Sequence, residues 1–245
     1  SDSDSHRKPR DDEIDVYGLT HRGRVREENQ DHFLVCVLRR EVDVKLTSLP
    51  EPRFISDSSE RLAFLAMVAD GVGGGKGGEE ASRMAVSIVT RYVTESIHSY
   101  YTERGADDGS FLGALYASAL RVHADLLEAG EADPARGGMA TTLTLFIGVW
   151  PYVYLLQVGD SRHYVLRGDQ LSQTTRDQTV GQELVDSGAI ESRAVANSRW
   201  SGVLSSAIGG SESAPVVTRI DSEWGHVHLV CSDGLTKHVS DDRIR

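Results

Sequence analysis

No run of apolar residues in this chain approaches the roughly 18 needed to span a bilayer, and no signal peptide is read at its start. A cytoplasmic protein is the expectation. Positive charge is also scarce. Against 37 Asp and Glu stand 26 Lys and Arg, a formal net charge of −11. Such a surface repels nucleic acid and anionic membranes, whose binding rests on neutralising cations; neither is expected as a partner. Cysteine is nearly absent. Cys36 and Cys231 both fall in apolar, strand-like runs and read as buried thiols of a reducing compartment rather than a disulfide framework. No internal repeat or heptad stands out.

What is present suffices for one sizeable core: 245 residues, 39% hydrophobic and 26% charged. Residues 1–12 are polar and predicted to form a disordered tail, with a single domain over 13–245. Strands are predicted from Asp15 toward Gly23, over 31–38, and over 62–69, the last apolar on both faces as in a strand between layers. Residues 39–60 read as a surface excursion. Ala81, Met84, Ala85, Ile88, Val89 and Tyr92 recur at helical spacing over 79–97, and a second helix follows over 111–127. Strands at 141–149, 152–158 and 163–166 come next, then a short helix over 182–187, an irregular stretch over 191–213 and a strand over 226–231. Two helices in succession between groups of strands fit antiparallel sheets with helices outside better than βαβ units. The class is α+β.

Three aspartates share one context, the end of an apolar strand followed by a small residue: Asp70-Gly71, Asp160-Ser161 and Asp233-Gly234. A fourth, Asp31, begins a strand. A single Asp in such a place is usually a turn former. If the ends converge, the carboxylates repel one another unless a cation neutralises them, and an all-oxygen set favours Mg²⁺ or Mn²⁺ over zinc. Gly71 would let its own carbonyl approach an ion. Arg26, five residues before Asp31, offers the paired donors that a phosphate dianion accepts, although an exposed arginine in an Arg/Glu-rich turn is the plain alternative. The glycine string over 73–78 satisfies G-x-G-x-x-G after a strand and before a helix. A dinucleotide site also needs a parallel strand after that helix, and a second helix is predicted there instead. Lys76 precedes Gly77, not Ser or Thr, so a Walker A loop is excluded. His226 and His228 alternate along one strand and read as an exposed face rather than a zinc site. Ser161 lacks the surroundings of a catalytic nucleophile.

These segments, taken in order, resemble the type 2C, metal-dependent protein phosphatases of the compact bacterial kind. The resemblance is carried by Gly23-Arg-Val-Arg26-Glu-Glu-Asn29-Gln30-Asp31, Val68-Ala-Asp70-Gly71-Val72-Gly73-Gly74, Gly77-Gly78-Glu79-Glu80-Ala81-Ser82, Gly138-Met139-Ala140-Thr141-Thr142-Leu143, Val158-Gly159-Asp160-Ser161-Arg162 and Cys231-Ser232-Asp233-Gly234-Leu235. It implies a four-layer αββα sandwich with the metal site at one edge of two antiparallel sheets. It further implies two Mg²⁺ or Mn²⁺ ions bridged by Asp70, the Gly71 carbonyl on the second ion and Asp233 on the first. A third ion would lie between Asp160 and Asp233, Asp31 would stand beside the metals, and Arg26 would bind phosphate. The activity implied is hydrolysis of phosphoserine and phosphothreonine in phosphoprotein substrates by a metal-activated water, with no phosphoenzyme, opposing a Ser/Thr kinase. Residues 178–210 would form a flap that helps choose substrates.

Two departures stand out. Val72 occupies the place where many eukaryotic relatives carry a histidine, so the proton donor to the leaving group is unassigned. The family pattern also includes a final strand with Gly-x-Asp-Asn whose Asp completes the first metal's shell, and this sequence holds no Asp-Asn pair. Weakened binding at the first metal and low activity are therefore expected of the chain as written. The alternative is a catalytically weak or inactive phosphatase-like binding or sensing domain.

Overall fold

The computed structural model describes residues 7–41, 46, 48, 59–73, 76–102, 108–195 and 198–245. Among them, β1 (Asp31–Arg40), β2 (Glu60–Val72), β3 (Ala140–Thr141), β4 (Leu143–Val149), β5 (Tyr152–Val158) and β8 (Val216–Asp221) form one sheet. Its order is β1-β2-β4-β5-β8, with β3 paired to the end of β2. β6 (Arg162–Arg167), β7 (Gln170–Gln173) and β9 (Val227–Cys231) form a second, in the order β7-β6-β9. Every pairing between these strands is antiparallel. That removes the parallel crossover on which a dinucleotide reading of the 73–78 glycines depends.

The sheets face each other through ring contacts. Phe146 of β4 stacks on His163 of β6 with centroids 5.9 Å apart, and lies 4.9 Å from the ring of His228 on β9. On the other side of the larger sheet lie two long helices, α1 (Lys76–Thr102) and α2 (Asp108–Ala132). Their inward stripes follow from spacing: Ala81, Ala85, Val89, Val93 and Ile97 recur every four residues, and Phe111, Leu115, Ala119, Val122 and Leu126 recur every three or four on α2, all buried. They close on Leu65, Met67, Leu145 and Ile147, which alternate inward along β2 and β4. The other helices are short: α3 (Val180–Asp186), α4 (Ser192–Val195), α5 (Asp233–Thr236) and α6 (Asp241–Ile244). The α+β class and the sandwich of two antiparallel sheets hold. No described helix is long and apolar enough to cross a membrane.

Several elements differ from expectation. Residues 14–30 form no strand. Val16, Tyr17 and Leu19 are apolar as a short strand would be, but they are exposed and lack a neighbouring strand to complete a ladder. β2 does not stop at Asp70; it runs on to Val72 because Gly71 and Val72 pair with Thr141 and Ala140. β7 and β8 are additional, being polar or short enough to hide the two-residue period. Of the tail expected over 1–12, the first six residues lie outside the described set, and the chain from Arg7 is held. The buried Arg61 bonds to Asp11 and to the Pro9 carbonyl, and Asp11 also pairs with Arg39. Trp224 Nε1 donates to the Arg7 carbonyl at 3.0 Å, beneath the Arg7 guanidinium 4.7 Å from its ring. Composition alone misses such an anchor, because its partners lie far along the chain. Most of the 39–60 excursion lies outside the described residues.

Candidate metal centre

The strand register brings the first two acids together. Asp31, the first residue of β1, is the Cα partner of Asp70 on β2. Ser232, at the end of β9, donates its hydroxyl to Asp31 Oδ2 at 2.7 Å, which ties the Asp233 turn to the same corner. Asp70 is fixed through its backbone. Its N–H donates to Thr142 Oγ1 at 3.0 Å, and its carbonyl accepts from Thr141 Oγ1 and from the Thr142 N–H, each at 2.9 Å. Thr142 Oγ1 in turn shares a 2.7 Å bond with Ser161 Oγ, beside Asp160, and Thr144 Oγ1 donates to the Ser161 carbonyl at 2.7 Å. These hydroxyls are all buried. They form a rigid link between the Asp70 strand and the Asp160 turn.

Gly71 has a role that spacing does not reveal. A Cβ there would collide with the Gly78 carbonyl oxygen and come within 2.9 Å of the Gln30 carbonyl oxygen. The start of α1 is therefore pressed against β2 at this point. Buried Ser82 completes the junction by donating to the Gln30 carbonyl at 2.6 Å, while His32 Nδ1 lies 3.0 Å from its hydroxyl. Gly159, with φ +100°, turns the chain into Asp160 where a Cβ would sit 2.7 Å from Thr142.

The electrostatics agree with this convergence. Burial, followed by the charges of Asp31, Asp233 and Asp160, pushes the Asp70 carboxyl up to about 9. Burial and then Asp233 push Asp160 up to about 6. Lys237, exposed and one turn beyond Asp233, pairs its ammonium with the Asp233 carboxylate. Among the described residues no three His, Cys, Asp or Glu side chains are already gathered around one point at ligand spacing. Some of the oxygens are otherwise engaged: Asp31 with Ser232 and Asp233 with Lys237. In charge and donor chemistry the four acids suit a hard divalent cation, since crowded carboxylates are what such an ion neutralises. Arg26 stands apart. It is exposed on the turn before β1, and no hydrogen bond or ion pair links it to the acids.

The protein phosphatase 2C family model matches residues 53–244. This chain belongs to that family. It is 34% identical over 188 residues to the serine/threonine protein phosphatase PstP of Mycobacterium tuberculosis, covering 77% of this chain and 35% of PstP. The serine/threonine phosphatase stp of Listeria innocua is 30% identical over 176 residues, covering 71% of this chain and 68% of stp. A crystal structure of the PstP catalytic domain in complex with two manganese ions superposes with a TM-score of 0.64 at 29% identity, covering 92% of this chain and 80% of that one. The chain thus spans about a third of the length of the whole PstP protein it matches.

In this phosphatase 2C chain the segment expected as a flap, 178–210, is rooted in the acid site, apart from 196–197, which lie outside the described residues. Gln178 N–H donates to the Gly159 carbonyl at 3.1 Å, and Gln178 Oε1 accepts from Gly159 N–H at 2.7 Å. Arg162 forks onto Asp177 at 2.8 and 2.7 Å. Neighbours of Asp160 thus hold the base of the segment. Gly74 also lies outside the described residues. Sequence reasoning gave no role to the hydroxyls of Thr141, Thr142 and Ser161, nor to Lys237. The threonines and Ser161 lie inside quoted motifs, but only the fold shows that they face one another. His228 corrects the exposed-face reading: it is half-buried, its Nδ1 3.1 Å from His163 Nε2. Opposing β4 covers that face with Phe146.

Proposed function

We propose that this chain is the catalytic domain of a Mg²⁺- or Mn²⁺-dependent phosphatase that hydrolyses phosphoserine and phosphothreonine in proteins, opposing a Ser/Thr kinase in the cytoplasm. The observation that carries this reading is the convergence of Asp31, Asp70, Asp160 and Asp233, which raises the Asp70 carboxyl far above its ordinary range. The manganese ions named for the similar PstP domain support the choice of cation. Divalent ions held there would supply Lewis acidity and lower the pKa of water toward neutrality.

The chain's own residues do the rest. Asp70 would hold a pair of ions, its backbone fixed by Thr141 and Thr142, with the Gly71 carbonyl as a ligand of the second. Asp233 would hold the first, and Asp160 with Asp233 a third. Asp31 would stand beside them and, through its bond from Ser232, ties the Asp233 turn to the same corner. Arg26, exposed on the turn before β1, would bind the phosphate and offset charge on its outer oxygens. The 178–210 segment borders the protein substrate.

Phosphate release from a phosphoserine peptide tests the proposal. Turnover with Mn²⁺, its loss with a chelator and its restoration by fresh Mn²⁺ are expected, with release in Asp70→Asn reduced at least about 100-fold. Chelator-resistant turnover, or none in the wild type at saturating Mn²⁺, would contradict it.

A further inference from the structure

Lys237 brings an ammonium into the acid cluster. α5 places it there: the Lys237 N–H donates to the Asp233 carbonyl at 2.9 Å, so the two side chains lie one turn apart on one face. Its Nζ pairs with Asp233 Oδ2. The carboxylates of Asp233, Asp160 and Asp70 all act on this lysine, and its charge acts back on Asp160. An ordinary helix-surface pair feels one carboxylate; this one touches Asp233 and also feels the charges of Asp160 and Asp70.

An ammonium has donors but no lone pair, so it cannot share a ligand sphere with a metal ion. It competes for the same carboxylate oxygen and repels the incoming cation. The Lys237 side chain is 56% exposed against 25% for Asp233, so it has open solvent to swing into when displaced.

We propose that Lys237 is a resident counter-cation of the Asp233 carboxylate: it offsets the crowded charge before metal binds and must be displaced as the ion enters. Lys237 thereby sets the metal affinity at the Asp233 position. This rests on Asp233 being a metal ligand, as proposed above.

Calorimetric titration with Mn²⁺ tests it on wild type, Lys237→Met and Lys237→Arg, with thermal melts of each metal-free protein. Lys237→Met is expected to bind Mn²⁺ about three- to tenfold more tightly and to melt lower without metal, and Lys237→Arg to stay near wild type in both. Lys237→Gln repeats the comparison should the methionine variant not fold. Unchanged or weaker Mn²⁺ binding in the neutral variants, with wild type binding normally, overturns the role of Lys237 and leaves the metal-site reading standing. Mn²⁺ binding to none of the proteins overturns both. Binding to the neutral variants but not to wild type would be the strongest support.

Discussion

A carboxyl largely withdrawn from water and repelled by three others is unfavourable in its charged form, and Asp70 is in that position. Its pKa is raised to about 9, above the ordinary carboxylate value, by burial and then by Asp31, Asp233 and Asp160. Between those values the folded protein binds more protons than the unfolded chain, so this group's contribution to stability falls as pH rises. At neutral pH the metal-free protein therefore carries a strain that a neutral isostere removes. Asp70→Asn should melt higher than wild type without metal and lose the upward shift that Mn²⁺ gives wild type; scanning calorimetry with and without Mn²⁺ reads both. A lower melting point for metal-free Asp70→Asn would contradict this. Asp31, Asp70, Asp160 and Asp233 stood out in the sequence because each borders an apolar run, although β2 itself continues two residues past Asp70. Lys237 was not, since a lysine four residues after an aspartate on a short helix looks like any surface pair until the fold surrounds it with acids. Arg26 gains a role from family resemblance alone.

At the scale of elements, the junction of β2 with α1 decides where Asp70 points. Gly71 lies against the Gly78 and Gln30 carbonyls, and Ser82 bonds to Gln30 from the first turns of α1. Gly71→Ala forces backbone apart on both sides. A loss of about 3 kcal/mol is expected in urea unfolding, together with weaker Mn²⁺ binding, because the shift passes directly to Asp70. A variant that keeps both wild-type stability and affinity would show that the junction is not tight. The long helices and the apolar strands β2, β4 and β5 were readable from periodicity, since each buries a continuous face. β7 and β8 were not, because their exposed sides carry polar residues at nearly every step. The apolar Val16, Tyr17 and Leu19 misled for the opposite reason: a strand pattern is realised only where a partner completes its ladder.

For the whole molecule, the contact between the two sheets contains a titratable pair. Burial first, then neighbouring charge, lowers His163 to about 3 and His228 to about 4. His163 Nδ1 lies 2.5 Å from Thr174 Oγ1, His228 Nε2 lies 3.3 Å from Ser222 Oγ, and Arg167 and His226 bear on the pair electrostatically. Both folded values lie below that of the unfolded chain. As pH falls through about 6.5 toward 4 the unfolded chain takes up protons that the folded protein refuses, and stability is lost; above 6.5 it is fully present. Urea unfolding at pH 7 and pH 5 should differ by on the order of 4 kcal/mol from this pair, and His228→Phe should narrow the difference. An equal or larger acid loss in that variant would assign the sensitivity elsewhere.

The proposal that the acid corner is a two-ion site is tested most directly by anomalous diffraction from crystals grown with Mn²⁺. Two peaks on either side of the Asp70 carboxylate, each about 2.1 Å from one of its oxygens and one of them also on Asp233, are expected. Density for manganese only at surface carboxylates, with Lys237 still on Asp233, would contradict it.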